Sequence, residues 1–319
     1  MKTQIMHVTP LEIINEHVKK RLKPEDYDPE IWENRYISNR YLSGLSISEL
    51  ENRHNEICYN LVVLAQRLTT NLSVNNYNSL WYWLSKEHTT RLEAFLKGAE
   101  FYLPSFDLGI LHRDNMSYGI QNKFFRYGNT KHILDIIEKG EILFHEASYY
   151  RDDNNQARRD DEKRKKQYVN KEQVTLTLLK NGRKTKPLSN ITMIHEANFP
   201  NYIFCVSSHF DDRFFRKFDA ESCVAVTDRK EFERRLAMNI PVDKNIISFP
   251  VEYYDPWSNK ERGNIAPCIY KDFCFAWQCE YRFLIYNKIE EVNANPQASM
   301  KINLGSLEDF SEYYVRSKK

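Results

Sequence analysis

Apolar positions recur every three to four residues over much of the first third of the chain, the spacing of helices with one buried face. Pro10 opens a piece carrying Leu11, Ile14 and Val18 that closes near Pro24. A second helix is expected from Ser48, where Ser48 and Glu51 have the spacing of a capping box, followed by Leu50, Ile57, Leu61, Leu64 and Leu68. A third follows an Asn-rich loop at residues 75–78 and carries Leu80, Trp83, Leu84, Leu92, Phe95 and Leu96. The adjoining Trp81, Tyr82 and Trp83 would suit packing on a second domain or a partner interface. The period changes after Pro104. Short strand-like runs then alternate with short helices: Phe124 to Tyr127, Val174 to Leu179, Tyr202 to Ser207, Cys223 to Thr227, Ile246 to Tyr253, Asp272 to Tyr286 and Met300 to Leu304. Thr130 to Lys139 reads as a helix capped by Thr130, buried through Ile133, Ile136 and Ile137, and stopped by Gly140. Ser208 is placed to cap another, with Phe210, Phe214 and Phe218 on one face. The pattern gives an α-helical region over residues 1–115 and an α+β, mixed-sheet domain over residues 116–319.

Polar residues interrupt the strands at three places: Arg126 in FFRYG, Ser207 and Ser208 in FCVSSH, and Gln278 with Glu280 in FAWQCEYRF. If residues 272–286 form one strand, Gln278 and Glu280 project from the same face. Between the helix at 130 and the run at 174, residues 151–172 hold eight Lys or Arg and six Asp or Glu with almost nothing apolar. Such a stretch reads as a solvated loop or helix laced with ion pairs, or as a lid or basic strip formed by Arg158, Arg159, Arg164 and Lys165 that tracks a phosphate backbone.

Composition narrows the field. With 46 Lys and Arg against 44 Asp and Glu, net charge gives no argument for a polyanionic partner. Only nine glycines occur, and neither a Rossmann nor a P-loop motif is present. The six cysteines include no C-x-x-C pair, so neither a structural zinc site nor a redox motif is expected, and no metal. The first residues lack an apolar core of signal-peptide length and no stretch is long enough to span a bilayer, so a cytoplasmic protein without a membrane partner is expected.

In the order Arg, Ser-Ser, Gln-x-Glu, these residues resemble the ADP-ribosyltransferase superfamily, in the clade with an Arg on the first strand, an S-T-S-like strand and a [QE]-x-E before the last core strand. The resemblance covers residues 122–287. The expected S-T-S is Val206, Ser207, Ser208 here. Tyr127 to Thr130, Ile136 to Gly140 and Trp277 to Arg282 further resemble motifs of bacterial families found in toxin and phage-defence systems, including ADP-ribosyltransferase toxins of toxin–antitoxin–chaperone loci that act on RNA. The resemblance implies NAD as substrate, with Glu280 bonding the ribose 2′-hydroxyl and offsetting positive charge, Arg126 and Tyr127 holding NAD, and Ser207 and Ser208 supporting the ribose and the glutamate. It implies that Gln278 faces the acceptor, RNA first and DNA or protein otherwise, and that an antitoxin restrains the enzyme. Three other readings stand beside it: a ribonuclease using Arg126 and His132, a metal-dependent nuclease using Asp152, Asp153, Asp160, Asp161 and Glu162, and a non-catalytic interaction protein.

Overall fold

The computed structural model describes residues 29–68, 74–101, 123–197, 201–257, 267–287 and 299–316, with the backbone alone for 29, 62–68 and 74–82. The amphipathic piece expected at residues 10–24 lies outside them, as do the side chains of Trp81 and Tyr82. The chain is a mixed α+β fold with an N-terminal helical region and a C-terminal β-sheet region. It divides into two compact units, one comprising residues 1–114, 166–193 and 255–261 and the other residues 115–165, 194–254 and 262–319.

Among the described residues, three helices dominate the first unit: α1 (Pro29–Ile37), α2 (Ile47–Leu68) and α3 (Val74–Leu96). Helix α2 starts two residues earlier than the Ser48 capping box predicts, because the sequence offers the same motif twice. Ser46 accepts from the Glu49 N–H at 3.3 Å while its own N–H donates to Glu49 Oε2 at 2.7 Å. The Asn-rich residues 75–78 fall inside α3 rather than in a loop. Leu42, Leu45, Leu50 and Ala94 form an apolar core with Tyr36. Charges are buried here too: Asp255, fully enclosed, accepts from Arg53 at 2.8 and 2.7 Å and pairs with Lys86 at 3.1 Å. Burial alone would raise the Asp255 pKa, but the two cations outweigh it and hold the carboxyl well below its ordinary range.

The second unit is built on a sheet. Among the described residues the strands are, in chain order, β1 (Phe124–Gly128), β2 (Glu141–Glu146), β3 (Arg164–Val169), β4 (Leu176–Thr177), β5 (Lys184–Thr185), β6 (Ile191–Glu196), β7 (Asn201–Ser207), β8 (Ser222–Val226), β9 (Lys244–Pro250), β10 (Glu252–Tyr254), β11 (Tyr270–Asp272), β12 (Glu280–Asn287), β13 (Ser299–Asn303) and β14 (Ser311–Val315). Helices α4 (Thr130–Lys139), α5 (Arg213–Lys217) and α6 (Arg229–Asn239) lie between them. The main sheet runs β13-β2-β7-β1-β8-β14, with β12 also bonded to β7 and β9 bonded to β12. Its ladders are antiparallel, whereas β10 and β11 pair in parallel.

One consequence of register positions the site. Strand β12 pairs with β7 along its whole length, Tyr286 opposite Asn201 through Glu280 opposite Ser207. A strand has two edges, so β1 and β2 must share the other. Strand β2 takes the start of β7, through Glu146 opposite Tyr202, and β1 takes its end, through Phe125 opposite Ser207. The sheet therefore forks on that edge. Beneath it, Phe124, Phe144, Phe204, Phe232 and Phe283 form the apolar centre with Ile133 and Ile285, each fully buried aromatic contributing roughly 1.5–3 kcal/mol.

Several expected elements shift. Asn129, not Thr130, caps α4, its Oδ1 accepting from the His132 N–H; Gly140 does end the helix, at φ 65°. Asp212 precedes the short α5, and Ser208 caps no helix. The run at 174–179 keeps only Leu176–Thr177 as strand, and the run at 246–253 breaks at Val251 into β9 and β10. The charged stretch 151–172 is not wholly solvated. Strand β3 alternates buried and exposed positions, and Glu162, Lys165, Gln167 and Asn170 are buried.

Candidate functional site

Residues 272–286 do not form one strand. After β11, residues Phe273–Gln278 wind into a 3-10 turn whose first N–H groups are met by Asp272, which accepts from Cys274 N at 3.0 Å. Cys279 then takes a left-handed conformation, φ 52° and ψ 43°, before β12 starts at Glu280. A non-glycine residue there carries strain, and its neighbours hold it. The backbone N–H and the hydroxyl of Ser208 both donate to Cys279 O at 2.9 Å. Ser207 Oγ lies 2.8 Å from Gln278 O and 2.9 Å from His209 O, and the Glu280 N–H donates to the Tyr253 hydroxyl at 2.9 Å. The two serines thus fix the backbone of the Gln-x-Glu turn.

Gln278 and Glu280 meet at one ammonium group. Lys271 Nζ donates to Gln278 Oε1 at 3.0 Å and to Glu280 Oε2 at 2.7 Å, while Glu280 Oε1 accepts from Arg282 Nε at 2.5 Å. Arg282 is fully buried and clasps Glu162 through two bonds of 2.7 and 2.6 Å, its Nη1 also reaching Cys268 O. Lys165 adds ion pairs to Asp160 at 2.6 Å and Glu162 at 3.2 Å. Three carboxylates and three cations make a neutral, largely enclosed network. Burial would push the Glu280 carboxyl up, but Arg282 and then Lys271 overcome it and hold the group far below the ordinary carboxylate range. It is an anion at neutral pH. Two of its roughly four acceptor positions are used, leaving capacity for a ligand hydroxyl.

The network faces a cavity of about 600 Å³ where β1 and β2 part, walled by Arg126, His145, Tyr149, Arg158, Gln278 and Glu280, with α4 on its flank. That volume accommodates a ligand of nucleotide size. Arg126 donates to Cys205 O at 2.7 Å and stacks over the Phe204 ring at 5.1 Å, half-buried at the fork. His145 stacks face to face on Tyr149, centroids 3.9 Å apart. Burial, reinforced by the Arg126 charge, pulls its pKa down to about 4, so its imidazole is neutral at pH 7.

The fork brings together Arg126, Ser207, Gln278 and Glu280, as the sequence order leads one to expect. Tyr127 also reaches the cavity wall, but its ring is packed against Phe214 and Phe215 and its hydroxyl bonds to the backbone of Asp211. Gln278 is 4 % exposed, its amide donating to Ala157 O at 2.5 Å. The basic strip does not form as one surface. Arg158 pairs with Asp153, Arg159 donates to Asp153 O, Arg164 pairs with Glu196, and Lys165 is buried at 2 % exposure. His132 shares the cavity with Arg126, while Asp160 and Glu162 are consumed by Lys165 and Arg282. The residues not foreseen are Lys271 and His145, and Glu162 was expected only as a nuclease carboxylate, not as the partner of Arg282. His145 occupies an ordinary alternating strand, and Lys271 and Glu162 are joined to Glu280 only by tertiary folding.

The expectation of no metal is overturned in the helical unit. His54, Cys58 and Glu87 are all buried, and one potential ligand atom from each lies within 4.8 Å of the others. The signal legible in the sequence is H-x3-C on a helix, a spacing outside the C-x-x-C pattern. No helix among the described residues is long and apolar enough to cross a membrane. No family model, curated protein or solved structure matches this chain.

Proposed function

We propose that the second unit is an ADP-ribosyltransferase that consumes NAD and modifies a macromolecule, RNA before DNA or protein, in the manner of a toxin or phage-defence effector held in check by an antitoxin. The observation that supports this most is the convergence of Arg126 from β1, Gln278 from the 3-10 turn and Glu280 from β12 on one cavity of nucleotide size. In the reaction, the bond between ribose C1′ and the nicotinamide nitrogen breaks and its electron pair leaves with nicotinamide. A lone pair of the acceptor forms the new bond to C1′, and the acceptor's proton passes to solvent. The ribosyl group is cationic in between, as in glycoside hydrolysis. Glu280, ionised by its network, accepts the 2′-hydroxyl proton in a hydrogen bond and opposes that charge most strongly in the transition state. Arg126 offers a planar fork to the diphosphate. Gln278 holds the turn against Lys271 and Ala157, with one amide hydrogen left for an acceptor. Arg158, on the same wall and partly exposed, favours a polyanionic acceptor.

A second reading has its own observation. Both Glu280 oxygens are already engaged by buried cations, which suits a non-catalytic protein on the same fold. One assay separates the two: the purified chain is incubated with NAD labelled in its adenylate half and with RNA, DNA or lysate, while nicotinamide release is followed. Transfer of label into RNA, lowered on the order of 10²–10³-fold by Glu280→Gln, is the expected result. Undiminished transfer by that variant removes the mechanism, and no nicotinamide release with any acceptor leaves the non-catalytic reading. Arg126→Ala weakens NAD binding in calorimetry; an unchanged affinity removes its role.

A further inference from the structure

We propose that His54 Nε2, Cys58 Sγ and Glu87 Oε1 form a three-ligand site for a transition-metal ion of the Zn²⁺ class that fastens α2 to α3. His54 and Cys58 are four residues apart on α2, so they share one face a turn apart. Glu87 projects from α3 opposite them. The site belongs to the helical unit and is independent of the NAD reading.

Distances carry the argument. His54 Nε2 lies 3.1 Å from Glu87 Oε1 and 3.6 Å from Cys58 Sγ. A tetrahedral ion with the usual zinc–nitrogen, zinc–oxygen and zinc–sulfur bond lengths sets such edges at about 3.3 Å for nitrogen to oxygen and about 3.6 Å for nitrogen to sulfur. Two of the three edges thus already match an ion, and the third, Cys58 to Glu87, is within 4.8 Å and closes to the tetrahedral value of about 3.6 Å by side-chain rotation. The donor set selects the class of metal: thiolate with imidazole suits Zn²⁺, whereas Ca²⁺ and Mg²⁺ take oxygen ligands. Charge agrees as well. A thiolate and a carboxylate together supply two negative charges for a divalent cation, the thiol proton going to solvent and the imidazole binding in its neutral form.

An outer contact is already built. Arg91 Nε donates to Glu87 Oε1 at 3.1 Å, orienting the carboxylate from one helical turn away, the kind of support that metal-bound carboxylates use. The ligands are 3 %, 2 % and 1 % exposed for His54, Cys58 and Glu87, and the Phe101 ring lies 5.3 Å from that of His54. So enclosed a site serves to hold the two helices together, the described residues supplying three of its ligands.

The test uses untagged full-length protein, dialysed with Zn²⁺ and then against metal-free buffer, with bound metal counted by mass spectrometry and parallel Co²⁺ titrations followed by absorption. One retained Zn²⁺ per chain is expected, with a thiolate-to-cobalt charge-transfer band and tetrahedral ligand-field bands in the Co²⁺ form. Cys58→Ser should abolish the charge-transfer band, and Arg91→Gln should weaken Zn²⁺ binding by about 10–100-fold. Zn²⁺ absent from folded wild-type protein, or Co²⁺ bound with no thiolate band, overturns the proposal without any variant. A folded Cys58→Ser protein with unchanged Zn²⁺ stoichiometry and affinity overturns it equally.

Discussion

Glu280→Gln is expected to destabilise the second unit by an amount that depends on pH in a particular direction. The carboxylate is 6 % exposed and accepts from Arg282 and Lys271 at 2.5 and 2.7 Å. Removing one member of a buried ion pair costs roughly 3–5 kcal/mol, mostly because the partner stays buried and unmatched. Here the partners are not abandoned: Arg282 keeps Glu162 and Cys268 O, and Lys271 keeps Gln278. Glutamine also retains an oxygen acceptor. The loss therefore belongs at the lower end, about 3 kcal/mol at pH 7, or roughly 6–12 °C in Tm for a domain of this size. The sign with pH follows from the depressed pKa of Glu280 in the folded state. A carboxyl of this kind contributes stability that is fully present above its unfolded value, 4.5, and is lost as pH falls from there toward the folded value. Glutamine has no such contribution to lose. The gap between parent and variant should then shrink by about 1.4 kcal/mol for each pH unit below that value. Urea denaturation at pH 7 and at about pH 3, followed by tryptophan fluorescence, measures both ends. A gap absent at pH 7, or one that keeps its size in acid, refutes the assignment of Glu280 as an ionised, ion-paired carboxylate.

Two further substitutions test how charge and backbone are distributed. Lys165→Ala takes the ion-pair partner from half-buried Asp160 and one of two cations from buried Glu162, which keeps Arg282, and should cost about 3 kcal/mol in urea, whereas Arg158→Ala, at a surface pair with Asp153, should stay within about 0.5 kcal/mol; equal effects would place Lys165 at the surface. Gly140→Ala should cost more than about 2 kcal/mol, because φ is 65° and a Cβ there would sit 2.1 Å from Gly305 O. Gly305→Ala is its control: φ is 72° but nothing lies within 4 Å, so only the conformational cost of about 1–2 kcal/mol applies. Equal urea midpoints for the two variants would rule out the close approach.

What the sequence made legible was local. Helix α4 could be bounded because the isoleucine spacing and Gly140 act within one short segment, although the cap is Asn129 rather than the expected Thr130, and β7 and β8 because their apolar runs are too short and too branched for helices. The capping box was ambiguous for an equally local reason: SISELE contains two S-x-x-E frames, and choosing Ser46 depends on where Leu45 and Leu50 pack. The stretch at 272–286 misled because its composition favours a strand throughout, while the turn at Cys279 is imposed by Ser208 and Tyr253, more than twenty residues away on either count. Polar burial was invisible for the same reason. Glu162 and Lys165 look like solvated charges until Arg282 and Asp160 are known to meet them.

The candidate site sits between these extremes, and the register of β7 explains why. Three interruptions in three strands say nothing of distance unless the strands are neighbours with matched ends. Ser207 supplies the match: it ends β7 opposite Phe125 on one edge and Glu280 on the other, so Arg126 and the Gln-x-Glu turn arrive at the same end of the sheet. The cavity needs one thing more, which no motif encodes. Strand β7 is seven residues long and accepts β2 and β1 in succession along one edge, and those two strands are joined by the ten-residue helix α4. Tied to different ends of β7, they part, and the gap is the cavity. Its chemistry then follows from side chains that already had to be there: Arg126 on the parting strand, and Glu280 kept ionised by the cations that also hold the turn in place.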